Sequence, residues 1–180
     1  LLIAKQGAQV LSYQVGDEPP IIWLNEKAQY KHGKGIRGGV PVCWPWFGNL
    51  ALNPASVQAM RDSDEPASAH GLVRTREWEL VEIDDAGEAL HIELRLPPVE
   101  GGLPGWPHDV ALTMTIRLDT QLHISLTSQN RSSIPVSISQ ALHSYFAVSD
   151  VRKVKVEGVD GLTYIETLDD WKRAHQAGDL

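Results

Sequence analysis

Leu112-Thr113-Met114-Thr115-Ile116-Arg117-Leu118-Asp119-Thr120-Gln121-Leu122-His123-Ile124-Ser125-Leu126-Thr127 is the stretch that decides the fold class. Leu112, Met114, Ile116 and Leu118 alternate with Thr113, Thr115 and Arg117, and after a short link Leu122, Ile124 and Leu126 alternate with His123, Ser125 and Thr127. A period of two is what a half-buried strand requires, one face on a core and the other in water. The link Leu118-Asp119-Thr120-Gln121 is too short for a crossover helix, so the two strands pair antiparallel.

The same pattern extends outward. Leu90, Ile92, Leu94 and Leu96 oppose His91, Glu93 and Arg95, and Asp84-Asp85-Ala86-Gly87 separates that strand from another around Trp78 to Ile83. No segment carries a sustained helical stripe, apart from a short helix expected near Ser56 to Arg61. The reading is all-β, two packed antiparallel sheets in one domain spanning residues 1–180. Two stretches break the rhythm. Phe47 to Ala69 reads as a long surface excursion, and Pro97 to Pro107 as a Pro- and Gly-rich turn region leading into Trp106-Pro107-His108-Asp109.

Composition narrows the function classes. The chain has 42% hydrophobic and 22% charged residues, ordinary for a globular domain, and its formal charge of −7 argues against non-specific nucleic-acid binding. An acidic chain still accepts a small anion where a few arginines make a local positive pocket. Cys43 is the only cysteine, so neither an intramolecular disulfide nor a multi-cysteine metal site can form. That fits a reducing compartment, and a cytoplasmic setting is expected. No apolar run reaches membrane-spanning length, so no membrane partner is expected. Leu1 to Leu11 read as an edge of a folded domain, and the missing initiator methionine suggests a trimmed N-terminus. The sequence leaves the oligomeric state open, with a monomer as the default.

Three segments could carry chemistry. In Gly35-Ile36-Arg37-Gly38-Gly39-Val40-Pro41-Val42-Cys43-Trp44-Pro45-Trp46-Phe47-Gly48, the glycines beside Arg37 permit positive φ or close approach to a ligand. Trp44, Trp46 and Phe47 offer flat surface for a sugar ring; the competing reading is a Pro-locked core corner with Arg37 merely exposed. In Ala69-His70-Gly71-Leu72-Val73-Arg74, an imidazole and a guanidinium could face one pocket, or the segment could be a plain loop-to-strand junction. In Ala141-Leu142-His143-Ser144-Tyr145-Phe146, His143 and Tyr145 share a strand face, and His143 is either a satisfied core residue, a ligand or an acid–base group. The seven histidines include no pair at close ligand spacing, and no nucleophile elbow, Walker loop or dinucleotide fingerprint occurs.

Together with Trp106-Pro107-His108-Asp109, these segments resemble the hexose-6-phosphate mutarotases (glucose-6-phosphate 1-epimerases) of the aldose 1-epimerase-like proteins. Gln6-Gly7-Ala8 is similar to an early turn of bacterial members. The resemblance implies a large antiparallel β-sandwich of the galactose-mutarotase type. It also implies interconversion of the α and β anomers of hexose 6-phosphates, without metal or organic cofactor. In its terms His143 is the acid, His70 a second active-site histidine, and Arg37 and Arg74 the phosphate-binding arginines. Ala69 stands where some relatives carry a sugar-contacting glutamine. The family's glutamate base and a substrate-binding aspartate would follow on later strands. Glu157 and Glu166 do not lie in that context, so the chain reads as partial, with C-terminal strands absent. The alternatives are a non-catalytic sugar-phosphate-binding module, or a mutarotase of unphosphorylated aldoses.

Overall fold

A computed structural model describes all 180 residues, Leu1–Leu180. Its strands are β1 (Leu2–Ala4), β2 (Gln9–Ser12), β3 (Val42–Cys43), β4 (Glu79–Asp84), β5 (Leu90–Arg95), β6 (Val110–Leu118), β7 (Leu122–Asn130), β8 (Ala141–Leu142), β9 (Thr163–Glu166) and β10 (Lys172–His175). Helix is confined to α1 (Ala55–Gln58) and two single 3-10 turns, so the chain is all-β, as the alternation requires. It divides into two compact units, Leu1–Phe146 and Ala147–Leu180.

The first unit is built on an antiparallel sheet in the order β4-β5-β6-β7. Met114 sits opposite Leu126 on one side and Leu94 on the other; Ile116 sits opposite Ile124 and Ile92. These side chains form one face, with Leu112, Met114 and Ile116 fully buried. Burying each stabilises the fold by about 1.5–3 kcal/mol, so a one-residue slip that turned all three to water is strongly disfavoured. The face packs into a single core with Trp44, Trp46, Trp78, Trp106, Val10, Val40 and Val42. Strand β4 is the edge, with all six residues exposed and a register shift between Leu80 and Glu82.

The Phe47–Ala69 stretch is less superficial than its composition suggests. Leu50, Asn53 and Val57 are buried, and α1 is shorter than the expected 56–61 helix, ending at Gln58. Asn53 is the reason this stretch holds a shape. Its amide donates to the carbonyls of Phe47 and Asn49 at 2.9 and 2.8 Å, and its side-chain oxygen accepts from the Ser139 hydroxyl. Ser139 in turn accepts the Phe47 N–H at 3.1 Å. A buried polar side chain is tolerated here because its bonds are made.

Residues 39–48 run between two flanking segments. On one side β3 pairs with β8, and backbone bonds continue from His143 N–H to Pro41 O (2.9 Å) and from Tyr145 N–H to Gly39 O (3.0 Å). On the other side Leu72 N–H donates to Trp44 O at 2.7 Å, and His70 N–H to Gly48 O at 2.8 Å. The approach of Gly71 is so close that a Cβ there would overlap the Trp44 backbone, and its φ is +80°. Only glycine meets both demands.

The second unit, Ala147–Leu180, holds the β9–β10 hairpin and a 3-10 turn at Val151–Lys153 whose first turn is capped by the Asp150 carboxylate. Reciprocal backbone bonds between Val156 and Leu180 close it.

Gly71→Ala is expected to lower unfolding free energy by at least about 2 kcal/mol in urea titrations, through strain and overlap together. Gly87→Ala, where a Cβ meets open space, should stay within about 0.5 kcal/mol of the parent.

Candidate active site

The pairing of residues 39–48 with both neighbours places His70 and His143 side by side. Their rings stack with centroids 5.6 Å apart and planes inclined by 21°. Phe47 stands edge-on to both, at 5.1 Å from His70 and 5.4 Å from His143, and Tyr145 packs edge-on to His143 at 4.8 Å. Trp23 extends the aromatic wall against Tyr145, at 5.9 Å. Both histidines are half-buried, so each has one side in the protein and one open to a ligand.

The orientation of His70 is set by its backbone. It is one of few non-glycine residues at positive φ (+65°), and Gly48 N–H donates to its Nδ1 at 3.2 Å. In the neutral ring that bond leaves the proton on Nε2, which can donate to a sugar oxygen.

Burial is the main cause holding His143 below the ordinary histidine range, and the Arg74 guanidinium adds to it. His70 is lowered by burial, by Arg74, and also by the charge of His143. Two stacked imidazoliums beside a guanidinium would repel, so protonating one histidine disfavours protonating the other. Cys43 is no nucleophile here: burial pushes its thiol up to about 11.

Arg74 is thus tied electrostatically to both histidines. Its guanidinium lies against the backbone of Gly35, where a Cβ would come within 2.9 Å of Nη2. It also lines a hollow of about 450 Å³ that includes Ala69 and Gly71, the residues flanking His70. Arg37 behaves differently. It is exposed, makes no side-chain hydrogen bond or ion pair within the chain, and does not line that hollow. The structure gathers His70, His143 and Arg74, and no contact ties Arg37 to them.

Two expectations for the first segment change. Trp44 and Trp46 are no sugar platform. Both are buried in the core, their indole N–H groups donating to Ser128 Oγ (3.1 Å) and Ser68 O (2.9 Å), and only Phe47 stands with the histidines. Gly38 and Gly39 do have positive φ, yet the backbone they approach is their own chain's, at Trp23 and Val10. Sequence reasoning also missed Gln9. Its buried amide donates to the Gly38 carbonyl at 2.6 Å and so anchors the Arg37 loop. Its only signal was a polar residue within an apolar strand.

A second hollow of about 420 Å³ is lined by Trp44, Trp106 and much of the Pro97–Pro107 region, and neither hollow is lined by His70 or His143. No group of three or more histidine, cysteine, aspartate or glutamate side chains is placed to hold a metal ion, and no helix is long and apolar enough to cross a membrane.

The all-β fold is shared with solved structures of mutarotase type. The chain belongs to the aldose 1-epimerase family, whose sequence profile matches residues 1–177. It is 35% identical over 169 residues to the Escherichia coli (strain K12) protein named "Putative glucose-6-phosphate 1-epimerase", covering 94% of this chain and 52% of that one. It is 32% identical to the protein of the same name from Salmonella typhimurium, with the same coverage. Among solved structures, a Salmonella typhimurium protein described as a "putative mutarotase" superimposes with a TM-score of 0.79 at 29% identity, over 99% of this chain and 55% of that one. A Synechocystis protein at 19% identity shares the fold, with a TM-score of 0.77 over 98% of this chain and 59% of its own. The chain spans about half the length of the curated relatives it matches.

Because Arg74 lowers both histidines, Arg74→Ala should move their titrations upward, most simply read from imidazole proton shifts in NMR. The sign for stability follows. Both folded-state values lie below that of an unfolded histidine, about 6.5, so the unfolded chain binds protons first as pH falls. The stability from this pair is present above about pH 6.5 and is lost as pH falls below it, a loss that Arg74→Ala should reduce in thermal melts.

Proposed function

We propose that this chain carries the acid side of a mutarotase site that opens and recloses the ring of aldohexose 6-phosphates. The observation that carries the reading is the His70–His143 pair under the influence of Arg74. Ring opening removes the proton of the anomeric hydroxyl, forms the C1 carbonyl and breaks the bond from C1 to the ring oxygen, which takes a proton. Rotation about C1–C2 and reclosure yield the other anomer. His143 is the proton donor to the ring oxygen, the role the family resemblance implies for it. His70, with Nδ1 engaged by Gly48, donates through Nε2 to the ring-oxygen or O1 region.

The lowered affinity of His143 for its proton has a use in this scheme. A weakly held proton is readily given up, and a phosphate dianion on Arg74 offsets the charge that depresses the pair. Binding of the phosphorylated sugar then raises the affinity of His143 for its proton. A free sugar provides no such compensation. Arg74, and Arg37 from the neighbouring loop, are the arginines assigned to the phosphate, for which a guanidinium fork is well shaped. The base is expected to be a carboxylate, and it is not assigned to any residue of this chain. A cytoplasmic setting belongs to the same reading. The names of the relatives support the sugar-phosphate reading, as membership of the aldose 1-epimerase family supports mutarotase chemistry.

The test is exchange between α- and β-glucose 6-phosphate, followed by NMR against the spontaneous rate. His143→Ala should remove most of the enzymic exchange, a loss of about 100-fold or more for a general acid. Arg74→Ala and Arg37→Ala should weaken use of glucose 6-phosphate far more than use of glucose. Unchanged exchange in the His143 variant would remove that residue from the acid role. Equal losses for both sugars would point to an unphosphorylated aldose as substrate, and binding without exchange to a sugar-phosphate-binding module.

A further inference from the structure

We propose that Asn53 is the positioning residue of His70: by gripping the peptide between Phe47 and Gly48, it fixes the imidazole in the form that carries its proton on Nε2. The use of that proton as a donor to a sugar rests on the mutarotase reading above, whereas the grip is independent of it.

The bonds form one continuous chain. The Ser139 hydroxyl donates to Asn53 Oδ1, the Asn53 amide donates to the Phe47 carbonyl at 2.9 Å, and Gly48 N–H donates to His70 Nδ1 at 3.2 Å. The Phe47 carbonyl and the Gly48 N–H belong to one peptide group, which is planar and trans, so the two point in opposite directions. Holding the oxygen toward Asn53 therefore aims the N–H away from it, at the imidazole. The Phe47 N–H is held too, by Ser139 Oγ at 3.1 Å.

The grip has one orientation. Both amide hydrogens of Asn53 are used, the second on Asn49 O at 2.8 Å, and a flipped amide would set its oxygen against two carbonyl oxygens. Asn53 is itself buried and tied by its backbone. Its N–H donates to Leu50 O at 3.0 Å, and its carbonyl accepts the Gln58 amide at 2.6 Å.

The consequence falls on His70. The Gly48 N–H is buried, and His70 Nδ1 is its acceptor. A proton moved to Nδ1 would set two donors face to face and leave a buried N–H unpaired, which is costly. Burial and the Arg74 charge disfavour the imidazolium, so the neutral ring is the form that matters, and its tautomer decides whether Nε2 donates or accepts. The Gly48 carbonyl also accepts the His70 N–H at 2.8 Å, so one glycine holds both backbone and ring.

The experiment reads the His70 tautomer from ring nitrogen shifts in NMR of the isotope-labelled 180-residue chain at mildly alkaline pH, with the signals assigned by His70→Gln. The parent should show the Nε2–H form. Asn53→Ala should move the tautomer ratio toward Nδ1–H by about three-fold or more, the size of one ordinary hydrogen bond. Ser139→Ala, which leaves the Asn53 donors in place, should move it the same way by less, and it decides the matter where Asn53→Ala does not fold. Two controls should keep the parent ratio: Val57→Ala, which loosens core packing in the same stretch, and Phe47→Leu, which removes the ring and keeps the peptide. An unmoved ratio in Asn53→Ala, or an equal shift in either control, overturns the assignment and leaves the mutarotase reading standing. A shift confined to Asn53→Ala and Ser139→Ala upholds it, and if the parent then binds neither glucose 6-phosphate nor glucose, only the sugar reading falls.

Discussion

The close approach of Gly71 to the Trp44 backbone is the contact on which the site depends. At this point a loop descends far enough for Leu72 N–H to reach Trp44 O, and for His70 to exchange bonds with Gly48. A side chain at position 71 would push this segment outward, and His70 would lose its place against His143. The opposite flank is held as firmly, by the β3–β8 pairing and its continuation through His143 and Tyr145. Two segments more than seventy residues apart in sequence thus become neighbours because each is bonded to the same ten residues between them.

That central segment divides its side chains between stability and chemistry. Trp44 and Trp46 go inward, and each satisfies its indole N–H as it does so. Phe47 stays at the border, held from both sides by Asn53 and Ser139, and presents its ring to both histidines. Truncating Asn53 would free the Phe47 carbonyl and the Ser139 hydroxyl together, so the small polar network acts on the site through one aromatic ring. The electrostatic character of the site arises from the same packing. Partial burial makes a charge on either imidazole costly, and Arg74 raises that cost.

The motif residues differed in how far the sequence could interpret them. The alternation in Leu112–Leu126 is a local property of the chain, and its strands, pairing and buried face follow directly. His143 and Tyr145 share a face, as period two demands. The aromatic cluster at 44–47 was ambiguous because flat apolar rings serve a core and a sugar equally well, and only burial separates them. Gln9 was hidden for the opposite reason: a glutamine on an apolar strand gives no sign of the carbonyl it will meet 29 residues later. Arg37 and Arg74 looked alike as guanidiniums beside glycines, yet only Arg74 lies in the electrostatic reach of the histidines.

By itself, the sequence determined the all-β class, the antiparallel hairpins and the motifs that mark the family, since each of these depends on near neighbours or on residue type. The tertiary structure alone decided which motif residues meet. His70 and His143 are separated in sequence by the whole of the central sheet, and their stacking comes from backbone bonds to a shared segment. The same holds for Lys34, Arg74 and Arg76, which come from separate segments of the chain to line one hollow. Side-chain identity is written locally, whereas burial, charge environment and shared ligands depend on long-range contacts that no local pattern specifies.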